Sequence, residues 1–62
     1  MDKRLILINQ SIATNMHIIR HSTRALSNPA NDNQTIAYLQ NAIHFSKQQI
    51  TLNLCLKKLW NL

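Results

Sequence analysis

Two runs of apolar residues at helical spacing dominate the chain, and one polar cluster separates them. In the first run Leu5, Ile12, Ile19 and Leu26 recur every seven residues, and Ile8, Met16 and Thr23 fill the steps between. At about 100° per residue these side chains form one stripe, so the spacing predicts a helix from about residue 3 to 27. In the second run Ile36, Ile43 and Ile50 recur at the same interval, joined by Leu39 and Leu54. They predict a second helix from about 33 to 60, whose stripe packs against the first. The separating cluster, Ser27-Asn28-Pro29-Ala30-Asn31-Asp32-Asn33, holds the single Pro and six other residues rich in turn formers. Asn28 precedes Pro29 and is biased away from helix. The loop is therefore placed at 28–32, with Asp32 or Asn33 as N-cap of the second helix.

The second helix carries more apolar surface than one neighbour can cover. Tyr38, Phe45, Leu52 and Leu59 recur at seven, joined by Leu56, and lie roughly opposite the first stripe. A helix apolar on two sides is normally buried on two sides. Four or five such side chains represent about 8–15 kcal/mol if fully buried. That is on the order of the whole stability of a small domain, about 5–15 kcal/mol. The expected architecture is thus all-α, a two-helix antiparallel hairpin completed by dimerisation into a four-helix bundle or by a helical partner. Tyr38, Phe45, Leu52, Leu56 and Leu59 are the candidate partner-binding residues.

Composition narrows the class further. The chain has 62 residues, one Cys and no Gly. A domain near this size has a marginal core, and disulfides, metals or association usually support it. One Cys excludes an internal disulfide, and scattered His residues do not make a zinc site. No Gly means no Gly-rich phosphate loop and no Asn-Gly hairpin turn. The apolar run Leu5-Ile6-Leu7-Ile8 is shorter than the roughly 7–15 residues of a signal peptide or the roughly 20 of a spanning helix. Together with the lone thiol, this points to a cytoplasmic chain without a membrane partner.

Candidate chemistry is sparse. The only carboxylates are Asp2 and Asp32, one at a terminus and one in the loop, so a paired acid/base site is not expected. His17 and His21 stand four apart on one helix face, but HExxH is absent. His44 is expected on a flank of the second helix. Cys55 sits in an apolar run and reads as a small buried hydrophobe. No catalytic residue, metal ligand, cofactor or small-molecule substrate is expected.

Net charge is +5, from 7 Lys+Arg against 2 Asp+Glu, which favours anionic partners. Lys3, Gln10, His17 and Arg24 recur at seven on the side of the first helix away from its apolar stripe, with Arg20 nearby. Lys3, His17, Arg20 and Arg24 are the candidate nucleic-acid contacts, although no aromatic residue accompanies them for base stacking.

Residues 33–60, notably Asn33-Gln34-Thr35-Ile36-Ala37-Tyr38-Leu39-Gln40-Asn41-Ala42-Ile43 and the later Ile50, Leu52 and Leu54, resemble a polar loop followed by a Gln-rich, Ile/Leu-rich helix. That pattern is similar to small helical-hairpin co-chaperones of type III secretion needle subunits. The segment Asn28-Pro29-Ala30-Asn31 resembles the loop of the needle subunits themselves. The likeness covers about half the chain and implies a bacterial cytoplasmic co-chaperone or adaptor. In length and layout the chain also resembles the Rop family of plasmid RNA-binding hairpins, which implies a homodimeric bundle using the basic side of the first helix. A small phage or plasmid inhibitor of a host protein is a third expectation.

Overall fold

The computed structural model of the chain describes residues 2–62. Among them, helix α1 spans Lys3–Leu26 and helix α2 spans Asn33–Leu59, packed as an antiparallel hairpin. The all-α hairpin expected from the two apolar rows is the fold observed. No helix among the described residues is long and apolar enough to cross a membrane.

Each helix end is closed by polar side chains at the positions where backbone groups lack partners. Asp2 caps α1, its Oδ1 accepting from the Arg4 N–H at 2.8 Å. Asp32 caps α2 in the same way, accepting from the Thr35 N–H at 2.7 Å. In the loop, Asn28 Oδ1 accepts from the Ala30 N–H at 3.0 Å, and Asn31 Nδ2 donates to the Ala25 carbonyl at 2.7 Å. The second bond satisfies one of the last carbonyls of α1. At the far end of α2, the Leu62 N–H reaches the Lys57 carbonyl at 2.8 Å, and the Asn61 N–H reaches that of Lys58 at 3.2 Å. This is a Schellman closure, which needs a left-handed residue after the helix. Asn61 takes that conformation at φ 56°. In a chain without Gly, Asn is the residue best suited to it.

The seam between the helices follows alternating steps of three and four, the spacing of antiparallel coiled-coil packing. On α1 the inward residues are Leu5, Ile8, Ile12, Asn15, Ile19, Ser22 and Leu26; on α2 they are Ile36, Leu39, Ile43, Ser46, Ile50, Asn53 and Lys57. Two details differ from the apolar pattern. Met16 is 50% exposed and Thr23 is also exposed, and the inward steps between the Ile residues belong to Asn15 and Ser22. Leu54 is likewise 52% exposed, and Asn53 takes its place in the seam. Geometry decided in both cases: strict three-four spacing places the polar neighbour, and not the adjacent apolar residue, between the helices.

The result is a seam with little hydrophobic interior. Ile8 is the one hydrophobic residue fully buried among the described residues, beside the buried polar Asn15, Ser22 and Ser46. Ser11 ties the polar part together. Its hydroxyl accepts from Asn53 Nδ2 across the seam at 2.9 Å, and its carbonyl accepts from Asn15 Nδ2 at 2.8 Å. Lys57 Nζ bridges to Asn9 Oδ1 at 3.3 Å, closing the same end. Ser46, at 1% exposure the most deeply buried side chain, has no hydrogen-bond partner for its hydroxyl.

Candidate functional site: an exposed apolar face

The apolar row of α2 remains in solvent once the hairpin has formed. Tyr38 is 72% exposed, Phe45 60%, Leu52 56% and Leu59 77%. Leu56 is half-buried at the edge of the same row. These five were the candidate partner residues, and one side of α2 brings them together.

α1 extends this surface in a way that its own sequence pattern did not reveal. In an antiparallel hairpin, the flank of α1 bearing Leu7, Thr14 and Ile18 turns to the same side as the α2 row. Leu7 is 64% exposed and Ile18 37%. One groove at the end of the molecule confirms the common side, since Arg4, Leu7, Ile8, Asn53, Leu56 and Trp60 line it together. The face therefore runs across both helices. Exposed contiguous apolar patches of this kind mark interaction surfaces on soluble proteins.

The face carries almost no charge. The cation at its end, Arg4, is paired with Asp2 at 2.9 Å and lies over the Trp60 ring at 5.2 Å. That pair shifts both groups: hydrogen bonds from the Arg4 side chain and backbone N–H hold the Asp2 carboxyl below its usual range. Lys58 lies on the other side of α2, and Lys47 borders the row, lining one groove with His44 and Leu52. Lys47 and Lys58 are exposed, and Lys57 is occupied by Asn9. Leu54, Lys57, Lys58, Asn61 and Leu62 line a shallow groove on the other side.

The basic residues of α1 also lie apart from the apolar face. Lys3, His17, Arg20 and Arg24 are all exposed along its outer side. None of them pairs with a carboxylate, because Arg4–Asp2 is the one ion pair among the described residues. The His17 and His21 rings lie with centroids 4.2 Å apart, tilted 55° to each other. No third His, Cys, Asp or Glu joins them in a group that could hold a metal among the described residues.

His44 is exposed on α2 and pairs with Gln48 at 3.2 Å, on the flank where the sequence put it. The expectation for Cys55 is corrected: its thiol is exposed. Its apolar neighbours Leu52, Leu54 and Leu56 belong to different helix faces, so a run of apolar letters did not mean a buried run. Asp2 and Asp32 cap opposite ends of a molecule 45 Å long, so the two carboxylates do not meet. Trp60, Leu7 and Ile18 are apolar face residues that sequence reasoning missed. Leu7 sits in an apolar run, and Trp60 follows the last turn of α2. Periodicity marks neither, because the antiparallel pairing of the two helix ends is what joins them.

Compared with known protein families, curated proteins and solved structures, the chain has no match.

Proposed function

We propose that the chain is a non-enzymatic helical interaction module that binds a protein helix through the apolar face of the hairpin. One observation carries this reading: Tyr38, Phe45, Leu52 and Leu59 stay exposed after the two helices have packed. The hairpin seam mixes serines and asparagines with its leucines and isoleucines, while Tyr38, Phe45, Leu52 and Leu59 face outward, so large apolar side chains remain outside the seam. Covering each of these side chains contributes about 1.5–3 kcal/mol at full burial. A partner helix laid along them engages residues at helical spacing, the usual helix-in-groove mode.

Within that class, a cytoplasmic co-chaperone or adaptor is the concrete reading. The likeness of residues 33–60 to the second helix of needle-subunit co-chaperones supports it, as does an exposed lone thiol. Helical secretion subunits are therefore the first clients to try.

The test is site-specific photo-crosslinking in cells, with a photoreactive amino acid replacing Phe45 in one variant and Gln40 in another. Phe45 lies on the apolar face, whereas Gln40 is exposed on the other side of α2. A discrete band joining position 45 to a different protein, absent from position 40, is expected. No such band from 45, or equal bands from both, overturns the reading.

A further inference from the structure

We propose that a second copy of this chain covers the apolar face when no client is bound. The inference rests on the reading above that this face is the binding surface, and it names the resting occupant.

The first argument is area. A compact monomer of 7.2 kDa exposes about 4,100 Å² by the usual scaling with mass. This chain exposes 4949 Å². The excess, about 800 Å², matches what each partner contributes to a standard protein–protein interface. The shape agrees with it. The radius of gyration is 14.3 Å, against about 10.6 Å for a compact chain of this length. The molecule is a flat plate of 45 × 17 × 12 Å, with one broad side large enough for such an interface.

The second argument is charge. A chain of net charge +5 meets itself most favourably where its unpaired cations are fewest. The apolar face is the broad side with fewer unpaired cations. It bears Tyr38, Phe45, Leu52 and Leu56 of α2 and Leu7 and Ile18 of α1, with His21 beside them and Arg4 paired with Asp2 at one end. Lys58 lies elsewhere, and so do Arg20 and Arg24 of α1, while Lys47 borders the row beside Leu52. The opposite broad side carries Lys58 and Arg20 with no carboxylate paired to them among the described residues.

The third argument is symmetry. A twofold interface must be its own complement. The α2 row is evenly spaced by seven, so it maps onto itself when reversed. With the loops of the two copies at opposite ends, Phe45 of each copy lies across from Leu52 of the other, and Tyr38 across from Leu59. Each large ring then meets a leucine.

The experiment uses the purified full chain, with sedimentation equilibrium from about 1 to 100 μM. A mass of two chains at the upper concentrations is expected, with melting temperature rising as concentration rises, because association stabilises the folded state by mass action. Leu52→Asp should weaken dimerisation at least tenfold. Leu54→Asp, a control of nearly equal exposure on the other side, should leave it unchanged. The melting temperature of the unmodified chain serves as a readout even if Leu52→Asp does not fold. A folded monomer at about 100 μM, with a melting temperature independent of concentration, overturns the proposal. So does equal weakening by both substitutions. If the monomer result is joined by a crosslink from position 45 to a different protein, the interaction module stands and the second copy falls. If position 45 gives no crosslink either, both fall.

Discussion

At the scale of single residues, the ends of the helices depend on a few polar side chains with defined duties. Asp2 and Asp32 both have carboxyls held below their usual range, Asp2 chiefly by the Arg4 side chain and Asp32 by the Thr35 hydroxyl and backbone N–H. A carboxylate whose folded pKa is depressed contributes stability that is present above its unfolded pKa, about 3.9. That contribution is lost as pH falls through the lower folded value. Acid titration followed by circular dichroism should therefore show loss of helix setting in below about pH 4. Asp32→Asn should make that loss shallower while preserving the cap at neutral pH, because Asn is an equally good N-cap. Asp32→Ala should lower the melting temperature at neutral pH. Asn61 gives a second residue-scale expectation, since its φ of 56° is costly for a side chain with a branched Cβ. Asn61→Val should lower stability by about 1 kcal/mol in urea unfolding, and Asn61→Gly should not lower it.

At the scale of the elements, the hairpin is held by a seam in which five of the fourteen inward residues, Asn15, Ser22, Ser46, Asn53 and Lys57, are polar. Such positions trade stability for register, as a single buried Asn does in a coiled coil. Ser11, Asn15 and Asn53 form one network at one end of the seam. Removing Asn53 by Asn53→Ala should cost about 1 kcal/mol or more, because the Ser11 hydroxyl loses its cross-seam donor. Filling the same steps with Asn15→Leu and Asn53→Leu together should raise the urea midpoint. It should also broaden or multiply the amide resonances, as the helices gain alternative registers. Ser46 behaves differently. Its hydroxyl is buried without a partner, so Ser46→Ala should stabilise the chain by about 1 kcal/mol. Ser46→Leu, at a position only 1% exposed, should instead force the helices apart and cost about 1–3 kcal/mol.

At the scale of the whole molecule, unpaired charge is unevenly distributed. The unpaired cations occupy the outer side of α1 and one side of α2, while the Arg on the side of Tyr38, Phe45 and Leu52 is Arg4, paired with Asp2. Most of the cations face no carboxylate, because both carboxylates are engaged at helix N-termini. Self-repulsion among them should therefore be screened by salt, and raising NaCl from about 0.05 to 0.5 M should raise the melting temperature. The same distribution separates the apolar face from the Rop-like alternative. If Lys3, Arg20 and Arg24 contacted RNA or DNA phosphates, affinity would fall with a log–log salt slope of about −0.9 per phosphate on a duplex, or about −0.7 on a single strand. Filter binding is expected to give only weak, sequence-independent retention at physiological salt, unchanged in pattern by Arg20→Ala with Arg24→Ala. Submicromolar binding lost in that double variant would promote the nucleic-acid reading over the apolar face.

How much of this was legible in the sequence depends on the range of the interaction involved. Local physics determined the two helices, the loop around Pro29 and the Asp32 cap, because spacing, the Asn28–Pro29 step and capping act within a few residues. The α2 row Tyr38, Phe45, Leu52, Leu59 was legible for the same reason: every member lies on one helix, and a period of seven is enough to align them. The tertiary structure decided what lies between the helices. Whether Asn15 or Met16, Asn53 or Leu54, turns into the seam depends on the phase of one helix against the other, and hydrophobicity alone chose the wrong neighbour both times. It decided equally that Leu7, Leu56 and Trp60 share a groove, since residues about fifty positions apart meet only because the hairpin folds back on itself. The extent of the apolar face across α1 and α2 is a property of two helices held in one antiparallel register.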